Sequence, residues 1–202
     1  MKCKPLAALA AAAALAQTPS NVKIDSPQAR VLIATEQPHH PSALHEHKVN
    51  RVMVYLGDGE MKYTNAAGKT ETKSYKAGEV RWTPAEPPHT SENITDHAFQ
   101  IAEVELKNSP QPGGVTSALD PLKVDPKHYK LEFENDQVRV LRVRFGPHEK
   151  GVQHEHKLNH IVVYLTDQAK GKAGEVKLDP PMAHTEENPL DHAVERIAID
   201  LK

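Results

Sequence analysis

The chain has little of several things that usually announce a function. Phe, Trp and Tyr make up only 4% of its 202 residues, so a core must be assembled from Val, Leu, Ile and Ala. Such a core suits short β-strands better than a large aromatic-centred interior. Cysteine occurs once, at Cys3. The body of the chain therefore has neither a disulfide pair nor a thiolate metal ligand. The formal charge is −2, which gives no basic footprint for nucleic acid. No run beyond the N-terminal stretch is long and apolar enough to span a membrane. No Ser stands in a recognisable nucleophile elbow.

What is present begins with an N-terminal pattern of the secretory kind. Lys2 and Lys4 supply a short positive region, and an Ala/Leu run of about twelve residues follows, the length of a signal h-region. Ala14-Leu15-Ala16 has the small-x-small form of a cleavage site, so residues 1–16 read as a signal peptide and the mature chain starts near Gln17. Cleavage would remove both lysines and Cys3, moving the formal charge from −2 to about −4. The expected location is the periplasm or the outside of the cell, with no membrane attachment after cleavage.

The remainder repeats itself. His45-Glu46-His47-Lys48-Val49-Asn50 falls on His154-Glu155-His156-Lys157-Leu158-Asn159, and Val54-Tyr55-Leu56 on Val163-Tyr164-Leu165, without a gap. Lys76-Ala77-Gly78-Glu79-Val80 matches Lys172-Ala173-Gly174-Glu175-Val176, and Asp96-His97-Ala98 matches Asp191-His192-Ala193. Two copies in one order predict two domains of one fold, residues 17–107 and 128–202, joined by a Pro/Gly/Ser-rich linker at 108–127. Within each copy the pattern is of short strands. Gln137 to Arg144 alternates apolar and charged residues, the mark of a half-buried strand, while Val52–Leu56 and Ile161–Leu165 are continuous apolar runs. Many short strands between turn signals predict an all-β sandwich or barrel. Asp58 to Lys76 spans a whole hairpin, whereas Asp167 to Lys172 leaves a tight connection, about thirteen residues shorter. The second copy must have a smaller sheet or borrow a strand.

Thirteen histidines carry most of the functional information. His45 and His47 are two apart, so on a strand both project from one face, as do His154 and His156. Continued parity brings Arg51 and Tyr55 to that face in the first copy, and His160 and Tyr164 in the second. His89 and His184 follow a Gly-then-Pro turn signal that starts a return strand. Three or four neutral imidazoles converging inside a barrel suit a divalent Zn, Fe, Mn, Cu or Ni ion. His97 and His192 sit beside Asp in loops and are expected to bridge turns. Trp82 has no partner in the second copy and is expected to pack.

These residues resemble the cupin superfamily. Gly78-x5-Pro84-x4-His89-x3-Asn93 and Gly174-x5-Pro180-x3-His184-x3-Asn188 fit its second motif without the middle glycine. His45-x-His47 and His154-x-His156 fit the start of its first motif, whose glutamate is missing from both copies; Arg51 and His160 stand in that place. The resemblance covers nearly all of the mature chain and implies a bicupin of two tandem double-stranded β-helix (jelly-roll) barrels, the second shortened. It implies metal ligands His45, His47 and His89 in the first copy, and His154, His156 and His184 in the second, with His160 as a fourth. Arg51, facing inward, would repel the ion or pair with a substrate carboxylate; Tyr55 and Tyr164 would line a substrate pocket. With four histidines and no competing cation, the second copy is expected to hold metal more tightly, whereas the intact hairpin of the first argues for a complete substrate pocket there, which leaves the working half open.

Cupins host many chemistries, so the fold leaves the function open. One reading is a metal-dependent enzyme, an oxygenase or an isomerase or hydrolase, acting on a small organic molecule. Another is a non-catalytic module that binds a small ligand or a metal, and a third is a structural, dimerising pair, since barrel edges commonly pair into homodimers. N-terminal sequencing of the chain exported by a bacterial host should begin near Gln17; an intact Met1 in the exported material would contradict the signal reading.

Overall fold

Residues 21–110 and 114–202 are described by the computed structural model. The expected signal segment at 1–16, with Cys3, lies outside them. Of the described residues nearly all the regular structure is strand. The first half comprises β1 (Val22–Asp25), β2 (Ala29–Glu36), β3 (His45–His47), β4 (Arg51–Tyr55), β5 (Gly59–Asn65), β6 (Thr70–Tyr75), β7 (Val80–Thr83), β8 (Glu86–Asn93) and β9 (Phe99–Leu106). After a one-turn helix α1 (Pro121–Val124) come β10 (Tyr129–Glu134), β11 (Val138–Phe145), β12 (His154–His156), β13 (His160–Tyr164), β14 (Val176–Asp179), β15 (Met182–His184) and β16 (Val194–Leu201).

Each half has one five-stranded antiparallel sheet, ordered β1-β2-β9-β4-β7 in the first and β10-β11-β16-β13-β14 in the second. The strand order is the same, as the internal repeat requires. The second sheets differ. The first half has four strands, β3-β8-β5-β6, and the second only β12-β15. The missing residues are the β5–β6 hairpin, and among the described residues no strand is borrowed to replace it. The two connections nevertheless close with the same latch. Asp58 Oδ1 accepts from the Ala77 amide at 2.8 Å, and Asp167 Oδ1 from the Ala173 amide at 3.0 Å. The glycine after each latch, Gly78 or Gly174, has a φ of 79° or 83°, a left-handed conformation that other residues adopt only with strain.

The five-stranded sheets pack on each other through a layer of small aliphatic side chains. Val31, Val52, Val54 and Val104 meet Val138, Val140, Ile161, Ile197 and Ile199 in one continuous core, all fully buried. A core with so few aromatics is dense because β-branched chains interdigitate across facing sheets. Polar pairs frame it symmetrically: Asn50 Nδ2 donates to Gln137 Oε1, and Asn159 Nδ2 to Gln28 Oε1, each at 2.6 Å. Trp82 packs edge-on against Phe133 of the other half, at 6.4 Å between centroids. This packing corrects one sequence expectation. The alternation in β11 suggested a solvated face, yet Val138 and Val140 are covered by the first half while Arg139, Leu141, Val143 and Phe145 line its own interior.

The segment 108–127 is likewise more than a linker. Asp120 caps α1, its Oδ1 accepting from the Leu122 amide at 3.0 Å, with Pro121 at the first helical position. Asp120 and Asp125 are buried in the second half. Because the two halves share one core, they should unfold together. Ile199→Ala should lower stability by about 2–5 kcal/mol without splitting the urea transition; two separate transitions in the unaltered chain would contradict the shared core.

Candidate metal centres

The strand register builds both histidine groups. In the first half β3 pairs with β8 so that His45 lies opposite His89, while His47 shares the face of His45 by parity. In the second, β12 pairs with β15 and His154 lies opposite His184. Two same-strand histidines and one cross-strand histidine make a triangle. Ring centroids are 4.9, 4.7 and 5.5 Å apart for His45, His47 and His89, and 5.3, 4.5 and 5.6 Å apart for His154, His156 and His184. Within each group one nitrogen per residue lies within 4.8 Å of the others, so each group could hold a metal ion.

Backbone carbonyls choose which nitrogen faces inward. His45 Nδ1 donates to Ala43 O at 2.8 Å, His89 Nδ1 to Pro87 O at 2.9 Å and His154 Nδ1 to Val152 O at 3.0 Å. Each bond runs two residues back along the chain. It spends the one ring hydrogen of the neutral imidazole on Nδ1 and leaves Nε2 as a bare lone pair, the state a metal requires. Burial reinforces that state. It is the largest cause that holds His47 down to about 3, with Arg51 second, and His184 down to about 4. His154 and His160 are depressed for the same reason.

Of the other sequence candidates, Arg51 does point inward and is buried, but it is engaged. Its guanidinium pairs with Glu86, and with Glu103 Oε2 at 3.3 Å. His160 stacks on His156 at 4.3 Å and joins His156 and Asp200 in a neighbouring group of candidate ligands. Tyr55 stacks on Tyr75 at 3.9 Å, and Lys177 stands 5.2 Å over the ring of Tyr164. Tyr55 lines a cavity of about 1090 Å³ shared with the first group, and Tyr164 one of about 700 Å³ shared with His156, His160 and His184. His97 and His192 bond the carbonyls of Asp58 and Asp167 at 3.0 and 3.2 Å, as turn bridges.

The expectation that the second half lacks a cation is corrected. Arg139 is buried there, its Nη1 on Asp120 Oδ2 at 2.7 Å and its Nε on Asp200 Oδ2 at 2.9 Å. Arg196 pairs with Glu186 at the cavity wall. Both are neutralised by carboxylates, so neither stands free beside the imidazoles. The sequence reading missed Asp200, which accepts from His156 Nδ1 at 3.4 Å, and Tyr129, whose hydroxyl lies 2.9 Å from His154 Nε2. Period-two parity on β16 and β10 could have placed them inward, but not opposite particular histidines. Glu36, pushed up to about 7 by burial and by Glu103, lines the first cavity and was missed too.

No family model matches the chain, and no curated protein does. Solved structures do match. AerE from Microcystis aeruginosa is 12% identical, with 86% of this chain and 88% of that one covered, at a TM-score of 0.60. A cupin 2 conserved barrel domain protein from Leptotrichia buccalis is 14% identical, with 90% and 87% covered, at 0.53. A single-substitution variant of the B. subtilis oxalate decarboxylase is 13% identical, with 87% and 69% covered, at 0.60. At these identities the likeness is one of fold, and the fold is that of the cupin proteins. Its histidine groups are suited to a metal.

The depressed histidines set an acid limb for the metal-free protein. Between about pH 6.5 and their folded values, His47 and His184 take up protons only on unfolding. Stability present above about 6.5 is therefore lost as the pH falls. Glu36 works in the opposite sense, its contribution complete below the ordinary carboxyl value and lost as pH rises through about 7. Urea melts from pH 6.5 to 4 should show falling stability, less steep in His47→Gln/His184→Gln. An equal slope in that variant would contradict the assignment.

Proposed function

We propose that this chain is an exported tandem cupin, a bicupin whose domains 17–107 and 128–202 each offer a three-histidine site to a divalent transition metal. The second site, His154, His156 and His184, is the working centre of an enzyme acting on a small organic molecule. The observation that carries the reading is that His154, His156 and His184 bring one ring nitrogen each within 4.8 Å of the others, with Nδ1 of His154 tied to a carbonyl and with His156 and His184 lining a cavity. Three protein nitrogens leave coordination positions open towards that cavity of about 700 Å³, which is room for a small substrate. A bound ion there supplies Lewis acidity, or a place for O₂ and substrate to meet, without any protein nucleophile. The B. subtilis oxalate decarboxylase, which shares the fold, has Mn(II) centres; a protein of this architecture holding such ions supports the reading.

The chain's own groups do the rest. Lys150, Lys170, Lys177 and Arg196 line the second cavity with Asp179, Glu186 and Glu187. Cations around an aqueous cleft attract and orient a substrate carboxylate or phenolate. The first half is the weaker partner, because Arg51, although paired, is second only to burial in depressing His47, whereas Arg196 is the last of the causes acting on His184. That observation favours a second reading for the first half alone, a structural or ligand-holding domain. A homodimer through exposed sheet edges is compatible with either reading.

Elemental analysis of the purified chain should find Fe, Mn, Cu, Zn or Ni, and His154→Ala/His156→Ala should lose most of it; full retention would refute a second-half site. Turnover of small acids or phenols with oxygen uptake identifies an oxygenase, and turnover without uptake an isomerase or hydrolase. Bound metal with no turnover leaves the binding module.

A further inference from the structure

The second half does without its hairpin, yet its first histidine strand is gripped along the edge away from β15. The amide of Glu155, between His154 and His156, donates to Leu119 O at 2.9 Å, and Ser117 Oγ donates to Glu155 Oε2 at 2.8 Å. Both partners lie in the connecting segment just ahead of α1. That helix is a single turn, and its two ends are buried aspartates, Asp120 at the N-cap and Asp125 at the C-cap. Each end leads to one histidine. Asp120 Oδ2 accepts from Arg139 Nη1 at 2.7 Å, and Arg139 Nε donates to Asp200 Oδ2 at 2.9 Å. Asp200 Oδ1 accepts in turn from His156 Nδ1 at 3.4 Å. At the other end Asp125 Oδ2 accepts from the Val152 amide at 3.2 Å, and Val152 O accepts from His154 Nδ1 at 3.0 Å. The second Asp125 oxygen is fixed by His128 Nδ1 at 2.7 Å, and the His128 ring stacks on Phe145 at 4.0 Å. The loop fits this carboxylate closely. A Cβ on Gly151 would meet Asp125 Oδ2 at 2.6 Å and the Phe145 ring at 3.1 Å.

We propose that α1 and its flanks clamp the second centre, with Asp120 and Asp125 as positioning residues that set the rings of His156 and His154 for an ion. This rests on the metal-binding reading above and extends it to a segment outside the histidine strands. An acceptor on the far nitrogen of a ligating imidazole fixes both its tautomer and its ring plane. Partners of this kind are worth about 10–100-fold in metal affinity. Here the acceptors are themselves anchored by buried carboxylates, so the orientation is built in before an ion arrives. The first half uses a different device. Ser42 Oγ lies 3.3 Å from His45 Nδ1 and accepts from the Ser91 amide at 2.9 Å, all within that half's own loop and strand.

The full chain carrying His45→Ala/His47→Ala confines added Co(II) to the second centre. In its metal-free form the ring ¹⁵N signals of His154 should show a single tautomer, with the hydrogen on Nδ1. Asp125→Ala in that background should mix the two tautomers and weaken Co(II) binding about 10-fold or more. Asp125→Asn should restore both properties. Its oxygen serves the Val152 amide while its NH₂ faces His128 Nδ1, the ring hydrogen moving to Nε2, which lies 3.2 Å from Glu149 Oε2. A loss of stability alone leaves the tautomer of the folded protein untouched. A single His154 tautomer, or an unchanged Co(II) affinity, in Asp125→Ala would overturn the clamp. No Co(II) bound by the background protein would overturn the metal reading, and the tautomer is measured without it. If Asp125→Ala fails to fold, hydrogen exchange on the background protein decides the matter. The amide of Val152, an exposed residue, should be protected, and unprotected exchange there would overturn the contact.

Discussion

The dry contact between the two five-stranded sheets is the constraint on which the rest of the molecule depends. It covers the back of each half with the other, and its side chains are almost all Val, Ile, Leu and Ala. Each Val or Ile removed from water there is worth about 1.5–3 kcal/mol, summed over both sheets. A half with a two-stranded front sheet buries less apolar surface by itself. The second half can go without its hairpin because its back is already secured. What it gives up is front-sheet packing: Met61 and Tyr75 of the hairpin join the first half's inner core, whereas the second half's inner core comes from the large sheet, Tyr129 and nearby loop residues.

That asymmetry in packing becomes an asymmetry in chemistry. Both halves place two histidines by strand parity and a third across the ladder. Around this common triangle, the first half sets Arg51 between Glu86 and Glu103, an ion cluster beside the histidines. The second sets His160 against His156 and anchors Asp200 through Arg139 and Asp120. A buried arginine held by two carboxylates is a fixed structural element, and removing one partner would strand a charge. The first centre is thus committed to internal pairing. The second turns His156, His160 and His184 towards an open cavity.

Much of this was legible in the sequence because it rests on periodicity. The repeat, the buried strands at Val52–Leu56 and Ile161–Leu165, the His-x-His faces and the loss of one hairpin all follow from spacing. What could not be read depends on contacts between distant segments. Nothing in the alternation of β11 tells that its outer face meets the other half. Arg139 reads as a surface charge until Asp120, from an apparently featureless linker, and Asp200, from the last strand, are brought to it. Tyr129 has no counterpart in the repeat, so self-comparison passes over it. Arg51 was correctly turned inward by parity, but its two carboxylate partners come from β8 and β9.

The central claim is that the second centre holds an ion through the Nε2 atoms of its histidines. Crystals grown with manganese or iron and measured on both sides of the metal's absorption edge test this most directly. The account predicts an anomalous peak within bonding distance of His154, His156 and His184 Nε2. A peak elsewhere, or none at that position in metal-replete crystals, would contradict it.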